Sequence, residues 1–528
     1  MPVKKTVLVA AIAVIIAVVV ASAVTYFVAI AAVKPTTIVT TKTVPTTVVT
    51  VATPTTPATT TPAKPTIRKG VTIRVIGVQD PYWFPLKDLI PEFEKKYGIK
   101  VEYEGVSYYE TRLRAISAFV AKSPEIDVVL VDQMWVAEYA DAGWLVPLDD
   151  YIRRDKDEVN PTDFIPEVVH ALSFWRGKIW TLPMAAYGQL VMYRKDVFDK
   201  LGLKHPPKSF KEDYDWWTWD KYLEYVKTIH GKTIDGVKFY GTVEVGQQPA
   251  PIVHKWTQYL IGMGGRWFET YPKAPWNFTP VIQEKGKPAL ELFLTLYKYS
   301  PPESIEYFWF DAGTRFGKGD IGILLWWTPY CYLIKQPEYM VPGKSAVVGK
   351  YDVALPPHPK GWKVGDHPIM SIGGWSYGIS AFSKHKEEAW AFIKWATSYE
   401  TQKKMGLLHD RKWGSYQFSD FVRYSLYKDP DLIKVYPWLP TQLEAWKVGN
   451  GKVSRPMIPI YFTLEGILGR YLNEAMAGKI TVDDAFKHIV DEFTMVLKQN
   501  FYLPKYAGPS FNDTPEVVAK HLKELASG

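Results

Sequence analysis

Residues 124–152 read PEIDVVLVDQMWVAEYADAGWLVPLDDYI, and they constrain the fold more than any other stretch. The run at 128–131 is four apolar, mostly β-branched residues, which suits a strand covered on both faces of a parallel sheet. It stops at Asp132, followed by Gln133 and then Trp135. In open α/β sheets ligands sit beyond the carboxyl ends of the strands, so an acid, an amide and an indole at this point form a candidate binding site. The competing reading makes Asp132 the cap of the next helix, with Trp135, Tyr139 and Trp144 as ordinary core.

The flanking sequence supplies the rest of a sheet. Strand patterns cover 71–78 and 99–106, and helical patterns cover 86–97, ending at Gly98, and 110–121. This β-α-β-α-β order implies parallel pairing with right-handed crossovers. A strand is expected over 179–184, after which the chain reads as more helical and aromatic. Further strands are expected at 321–327, 351–355 and, interrupted by glycines, 369–380. A helix follows over 384–398 with Ser383 as its N-cap, and a last long one over 481–497 opens on a capping-box variant of Thr481 and Asp484.

Two segments precede the sheet. Residues 6–33 carry no charge, are flanked by Lys4, Lys5 and Lys34, and as a helix would span roughly 42 Å against a hydrocarbon core of about 30 Å. They read as a membrane anchor with the short lysine-bearing end inside and the bulk outside. A cleaved signal peptide is the alternative, because Ala21-Ser22-Ala23 resembles a cleavage site. Residues 34–66 hold 15 Thr and 6 Pro, too few large apolar groups to build a core, so the linker through residue 70 is expected to be an extended stalk. Asn277 and Asn512 each begin an N-glycosylation sequon.

The net charge of +8 misleads unless it is located. Eight basic and no acidic residues precede Asp80, so the remainder is formally neutral and carries no sign of the basic patch that a nucleic-acid binder needs. With 528 residues the chain has room for two or more folding units. Its one cysteine, Cys331, lies in an apolar run and reads as buried and inert.

Several motifs fail on context. The run Gly317-Lys-Gly-Asp-Ile-Gly322 matches a dinucleotide fingerprint, but its strand follows instead of preceding it, so no cofactor is indicated. The ten histidines show no metal-ligand spacing. The run Gly374-Trp-Ser-Tyr-Gly378 fits a hydrolase elbow, with Asp410 or Asp420 and His488 in the right chain order, yet strand-like residues continue past Ser376. Paired acids such as Asp149-Asp150 and Glu102/Glu104 leave a cell-surface glycosidase open, because the carboxyl separation that such chemistry needs is not legible in sequence. The stronger signal is aromatic. Gln79, Asp80, Tyr82 and Trp83 follow the first strand as Asp132, Gln133 and Trp135 follow the third, and indole faces beside hydrogen-bonding side chains suit sugars.

The order of segments resembles the extracellular solute-binding proteins of ABC importers, specifically the sugar-binding group that includes maltose- and trehalose-binding proteins. The resemblance spans about 71–498. It rests on FEKKYGIKVEYEGVSYYE, the stretch at 124–152, GKIWTLPMAAYGQLVMYRKDVFDKLGL, FGKGDIGILLWW, IGGWSYGISAFSKHKEEAWAFIKWATS, RPMIPIY and AGKITVDDAF. It implies an α/β, two-lobe, class II periplasmic-binding-protein-like fold with a hinge. Lobe I would comprise 71–184 and 370–415, and lobe II 185–369 and 416–528. The implied protein is a monomer without catalytic residues, binding a di- or oligosaccharide in the interlobe cleft and delivering it to a permease. The resemblance places Gln79, Asp80, Trp83, Asp132, Gln133, Tyr187, Trp327, Tyr330, Trp375 and Arg411 in that cleft, with Tyr461 and Glu465 as further carry-overs. Trp375 would stack on a sugar ring, and the carboxylates and Arg411 would bond hydroxyls. A peptide-binding importer component is the alternative. The chain departs from many bacterial relatives in lacking a lipid-bearing cysteine, and its tail at 500–528 has no place in the pattern.

Overall fold

The run at 128–131 is a strand walled in on both sides, as its composition requires: all four of its residues are 0% exposed. The structure is a computed structural model that describes residues 67–335, 344–410, 415–416 and 418–528. The candidate anchor and most of the stalk lie outside these residues. Among the described residues no helix is long and apolar enough to cross a membrane.

The sheet is built from β1 (Thr72–Val78), β2 (Lys100–Val106), β3 (Val128–Asp132), β4 (Leu182–Arg194), β5 (Ile323–Trp327), β6 (Tyr351–Ala354) and β7 (Ile372–Ile379). Strand β1 pairs in parallel with both β2 and β3, so the expected β-α-β-α-β unit is present. Its crossovers are α1 (Trp83–Tyr97), closed by Gly98 at φ 70°, and α2 (Tyr108–Val120). Strand β7 then joins β3 antiparallel, with Trp375 opposite Asp132.

Sequence patterning misjudged β4. In place of a short strand at 179–184 and a helical continuation, one strand of 13 residues runs from Leu182 to Arg194. Its first half pairs with β7, and its second half pairs with β5 and β6. All but one of its residues are buried, so no polar alternation marks it as a strand. The fold is α/β with two lobes. One is centred on β1, β2, β3 and β7, the other on β5, β6 and the helices around them, and β4 runs through both.

The helices that matter below are α3 (Pro166–Leu172), which packs under β7, α4 (Ala250–Gly262), α5 (Trp309–Gly317), α6 (Lys386–Ala396), the single turn α7 (Gly451–Ser454), α8 (Tyr461–Met476), α9 (Val482–Gln499) and α10 (Pro515–Ser527). Helices α3 and α6 belong with the first sheet, and α10 lies on α3. Two helix starts test the capping expectations. Thr481 accepts from Asp484 N at the head of α9, as expected. Ser383 does not cap α6, whose N-cap is His385; its hydroxyl instead donates to Asp127 at 2.6 Å and accepts from His385 N. A buried carboxylate competes for the serine and wins.

Candidate functional site

A cavity of about 380 Å³ opens where β1, β2 and β3 end. That is near the small end of the range for ligand pockets, roughly 300–1,000 Å³. One wall comes from Asp80 after β1, Tyr108 at the head of α2, Asp132 at the end of β3 and Trp375 on β7. The facing wall comes from His254 on α4, Trp309 on α5, Trp327 and Tyr330 around the end of β5, and Arg455. Tyr187, in the middle of β4, lines the floor. Tyr108 and Trp309 meet across the gap with ring centroids 5.1 Å apart.

The glycine pair before Trp375 makes this approach feasible. A Cβ on Gly373 would strike the Arg455 guanidinium, and one on Gly374, at φ +130°, would strike the Ala185 carbonyl oxygen. The β4–β7 register shifts between Trp375 and Ser376, a bulge that re-aims the indole.

The polar groups form two stations. At the first, Asp80 Oδ2 accepts from Tyr187 Oη and from Trp375 Nε1, both at 2.7 Å. Burial raises its pKa, and the two donors oppose the shift. At the second, Asp132 Oδ2 accepts from Tyr108 Oη at 2.9 Å. Burial lifts Asp132 to about 6 even though Arg455 and Tyr108 pull it back. Behind it Glu465, equally buried, is lifted to about 7 by burial, with Arg455 and Tyr461 pulling it back. Arg455 supplies the countercharge. It donates to Gln133 Oε1 at 2.8 Å and to Ile372 O at 3.1 Å, lies over the Trp327 ring at 5.2 Å, and its Nη1 is 3.1 Å from His254 Nε2.

His254 is held neutral, its pKa pushed well down by burial and by Arg455. Its Nδ1 lies 3.2 Å from Trp309 Nε1, and its Nε2 lies 3.3 Å from Glu465 Oε1 as well as beside Arg455. Among the described residues the cleft therefore offers carboxylate acceptors and ring faces, and one guanidinium that donates to protein partners.

The structure brings together Gln79, Asp80, Asp132, Tyr187, Trp327, Tyr330 and Trp375 as lining residues. Asp132 makes no side-chain cap bond, and Trp135 and Tyr139 are core. Trp83 lies outside the lining: its ring packs on Gly105 and Tyr103, under Lys87. Gln133 is fully buried and braces Arg455. Tyr461 and Glu465 bond each other at 3.0 Å one layer behind the lining. Arg411 lies outside the described residues.

Tyr108, His254, Trp309 and Arg455 were not picked out from sequence. Tyr108 could have been, because it follows β2 as Asp80 follows β1. Arg455 sits within the RPMIPIY motif, two positions before Met457. Nothing local distinguishes His254 or Trp309, which long-range folding alone delivers.

The residues that sequence offered for other chemistries lie elsewhere. Ser376 is fully buried and donates to backbone carbonyls of Leu172 and Val131, so it presents no nucleophile. Glu102 and Glu104 pair with Arg74 and Arg114 on an exposed face, and Asp149 pairs with His521, all away from the cleft. Among the described residues no group of three His, Cys, Asp or Glu side chains is placed to hold a metal.

The family profile of bacterial extracellular solute-binding proteins matches residues 85–403, well over half of the chain. The chain belongs to that family. A solute-binding protein of Agrobacterium radiobacter K84, solved in complex with ribitol, is 28% identical with a TM-score of 0.69, over 82% of this chain and 100% of that one. The maltose-bound T. maritima MalE3 is 26% identical with a TM-score of 0.65, over 81% of this solute-binding protein and 100% of the other. A mannitol-binding protein of Pseudomonas aeruginosa is 23% identical over 449 residues, 80% of this chain and 92% of its own.

Proposed function

We propose that this solute-binding protein captures a neutral polyol or small sugar outside the cell and hands it to the permease of an ABC importer. The observation that carries the reading is the cleft's polar inventory. Asp80 and Asp132 offer acceptors to hydroxyl donors, Trp375, Tyr108 and Trp327 offer faces to C–H surfaces, and Arg455 donates to Gln133 and to Ile372 O. Among the described residues a ligand carboxylate or phosphate would meet no free cation and two buried acids. The cavity volume favours one or two sugar units over a longer oligosaccharide.

In this reading the halves on either side of Tyr187 and Gly188 close over the ligand, and the permease distinguishes loaded from empty protein by that closure. Lobe I is 71–184 with 370–415, and lobe II is 185–369 with 416–528, except that α10 packs on α3 of lobe I. Residues 6–33 anchor the protein and 34–70 hold it away from the membrane. Asn277 and Asn512 are both exposed, which supports their use as glycan acceptors.

Calorimetric titration of the full chain against ribitol, mannitol, maltose and trehalose tests the proposal, with glucuronate and amino acids as charged controls. Binding to at least one neutral ligand and to none of the controls is expected. Binding to peptides alone would replace this reading with a peptide-binding one.

A further inference from the structure

The C-terminal segment, beyond the family match, contributes nothing to the cleft lining yet is firmly docked. Tyr502 and Tyr506 meet Phe278 at 4.7 and 5.1 Å, and Phe511 meets Trp276 at 4.9 Å. Trp276 Nε1 donates to Phe511 O at 2.9 Å, and Asp513 N donates to Pro272 O at 3.0 Å.

Asp513 of this segment is fully buried. Its Oδ2 accepts from Lys452 Nζ at 2.5 Å, and its Oδ1 lies 3.3 Å from His170 Nε2, which also reaches the Asp513 carbonyl at 2.8 Å. All three side chains are 0% exposed. Burial opposes ionisation of Asp513, but Lys452 and His170 outweigh it and hold the carboxyl below its ordinary range.

Lys452 belongs to α7, the turn that presents Arg455. Arg455 N closes this turn on Gly451 O at 2.8 Å. One side of the turn thus faces the tail through Lys452, and the other faces the cleft through Arg455. The tail reaches the turn by a second route. The segment at 267–278 that it covers holds Trp267, which donates to Ser454 O at 2.8 Å, and Tyr271, which donates to Met457 O at 3.0 Å. A four-residue turn has too few internal bonds to keep its own shape, so these outside contacts set its position.

We propose that Asp513 is a positioning residue for the cleft: by pairing with Lys452 it seats the turn that aims Arg455 at Gln133, Ile372 O and His254. Without the carboxylate, a buried ammonium is left uncompensated and must move toward other acceptors, taking the turn with it. The ligand arm of the test rests on the function proposed above; the exchange arm does not.

Asp513→Asn in the full chain removes the charge at nearly constant volume. Amide hydrogen exchange over 450–457 is expected to quicken about tenfold while β1 and β3 stay protected. Affinity for the tightest ligand of the panel, measured where circular dichroism is native, is expected to fall about tenfold. The pair Lys452→Met/Asp513→Asn, with no buried charge left, is expected to return both readings to within about threefold of wild type. If Asp513→Asn does not fold, Asp513→Glu carries the test: it keeps the ion pair but lengthens it by a methylene, and is expected to weaken binding at least about threefold. Native exchange at 450–457 with wild-type affinity in a folded variant, whatever the change in melting temperature, overturns the proposal. If wild type binds no ligand of the panel, the functional reading fails and the exchange result alone decides the role of Asp513.

Discussion

Replacing Asp132 by asparagine should make the empty protein more stable and the loaded one harder to form. Asp132 is 5% exposed, and burial lifts its pKa from the ordinary 3.8 to about 6 after Arg455 and Tyr108 have acted. A shift of roughly two pKa units corresponds to about 3 kcal/mol between protonation states. Because the folded pKa is raised, the stabilising contribution of this group is fully present below pH 3.8 and is lost as pH rises through 6. At pH 8 the ionised carboxylate therefore costs the folded state up to about 3 kcal/mol, which the amide does not. Thermal unfolding of wild type and Asp132→Asn at pH 8 and at pH 4 reads this directly. The variant should melt higher at pH 8, by a few degrees for a chain of this size, and the gap should close at pH 4. In the proposed function the same carboxylate accepts from a ligand hydroxyl, so wild-type affinity should weaken as pH falls below 6, by about tenfold at pH 5. An equal stability difference at both pH values, or affinity flat from pH 8 to pH 5, would refute the argument.

Three further outcomes follow from the same geometry. Trp375→Ala should weaken ligand binding by about 1–3 kcal/mol in calorimetry, since it removes a ring face and one of the two donors to Asp80. Gly374→Ala should destabilise the fold by about 2 kcal/mol or more in thermal denaturation, because the new methyl meets the Ala185 carbonyl at a backbone angle reserved for glycine. Glu244→Gln should cost about 3–5 kcal/mol by the same measurement, because it strands Lys255, which is fully buried 3.6 Å from that carboxylate.

The first sheet was legible because its strands obey short rules. Strands β1, β2 and β3 lie within one residue of the sequence reading, and Gly98 ends α1 where expected. Asp80 and Asp132 were legible because strand ends mark ligand sites in such sheets. Strand β4 was not, because a strand buried on both faces loses its alternation, and its 13 residues resemble a core helix. The second wall was hidden for a different reason. His254 sits on a helix whose every residue is buried, and Arg455 leaves a four-residue turn, so neither has a local period to betray its direction. The carry-over from the resemblance named Tyr461 and Glu465, which do not line the cavity, in preference to Arg455, which does.

Strand β4 gives both lobes a common spine. Tyr187 bonds Asp80 on one side of its midpoint, and Gly188 O accepts from Thr328 N on the other, so the same few peptide units touch both walls. Any swing of one wall must be absorbed as torsion in those units, whose side chain at 187 lines the cavity. In the proposed function, arrival of a ligand and rotation of the halves would both be felt at that residue, with no separate relay between them.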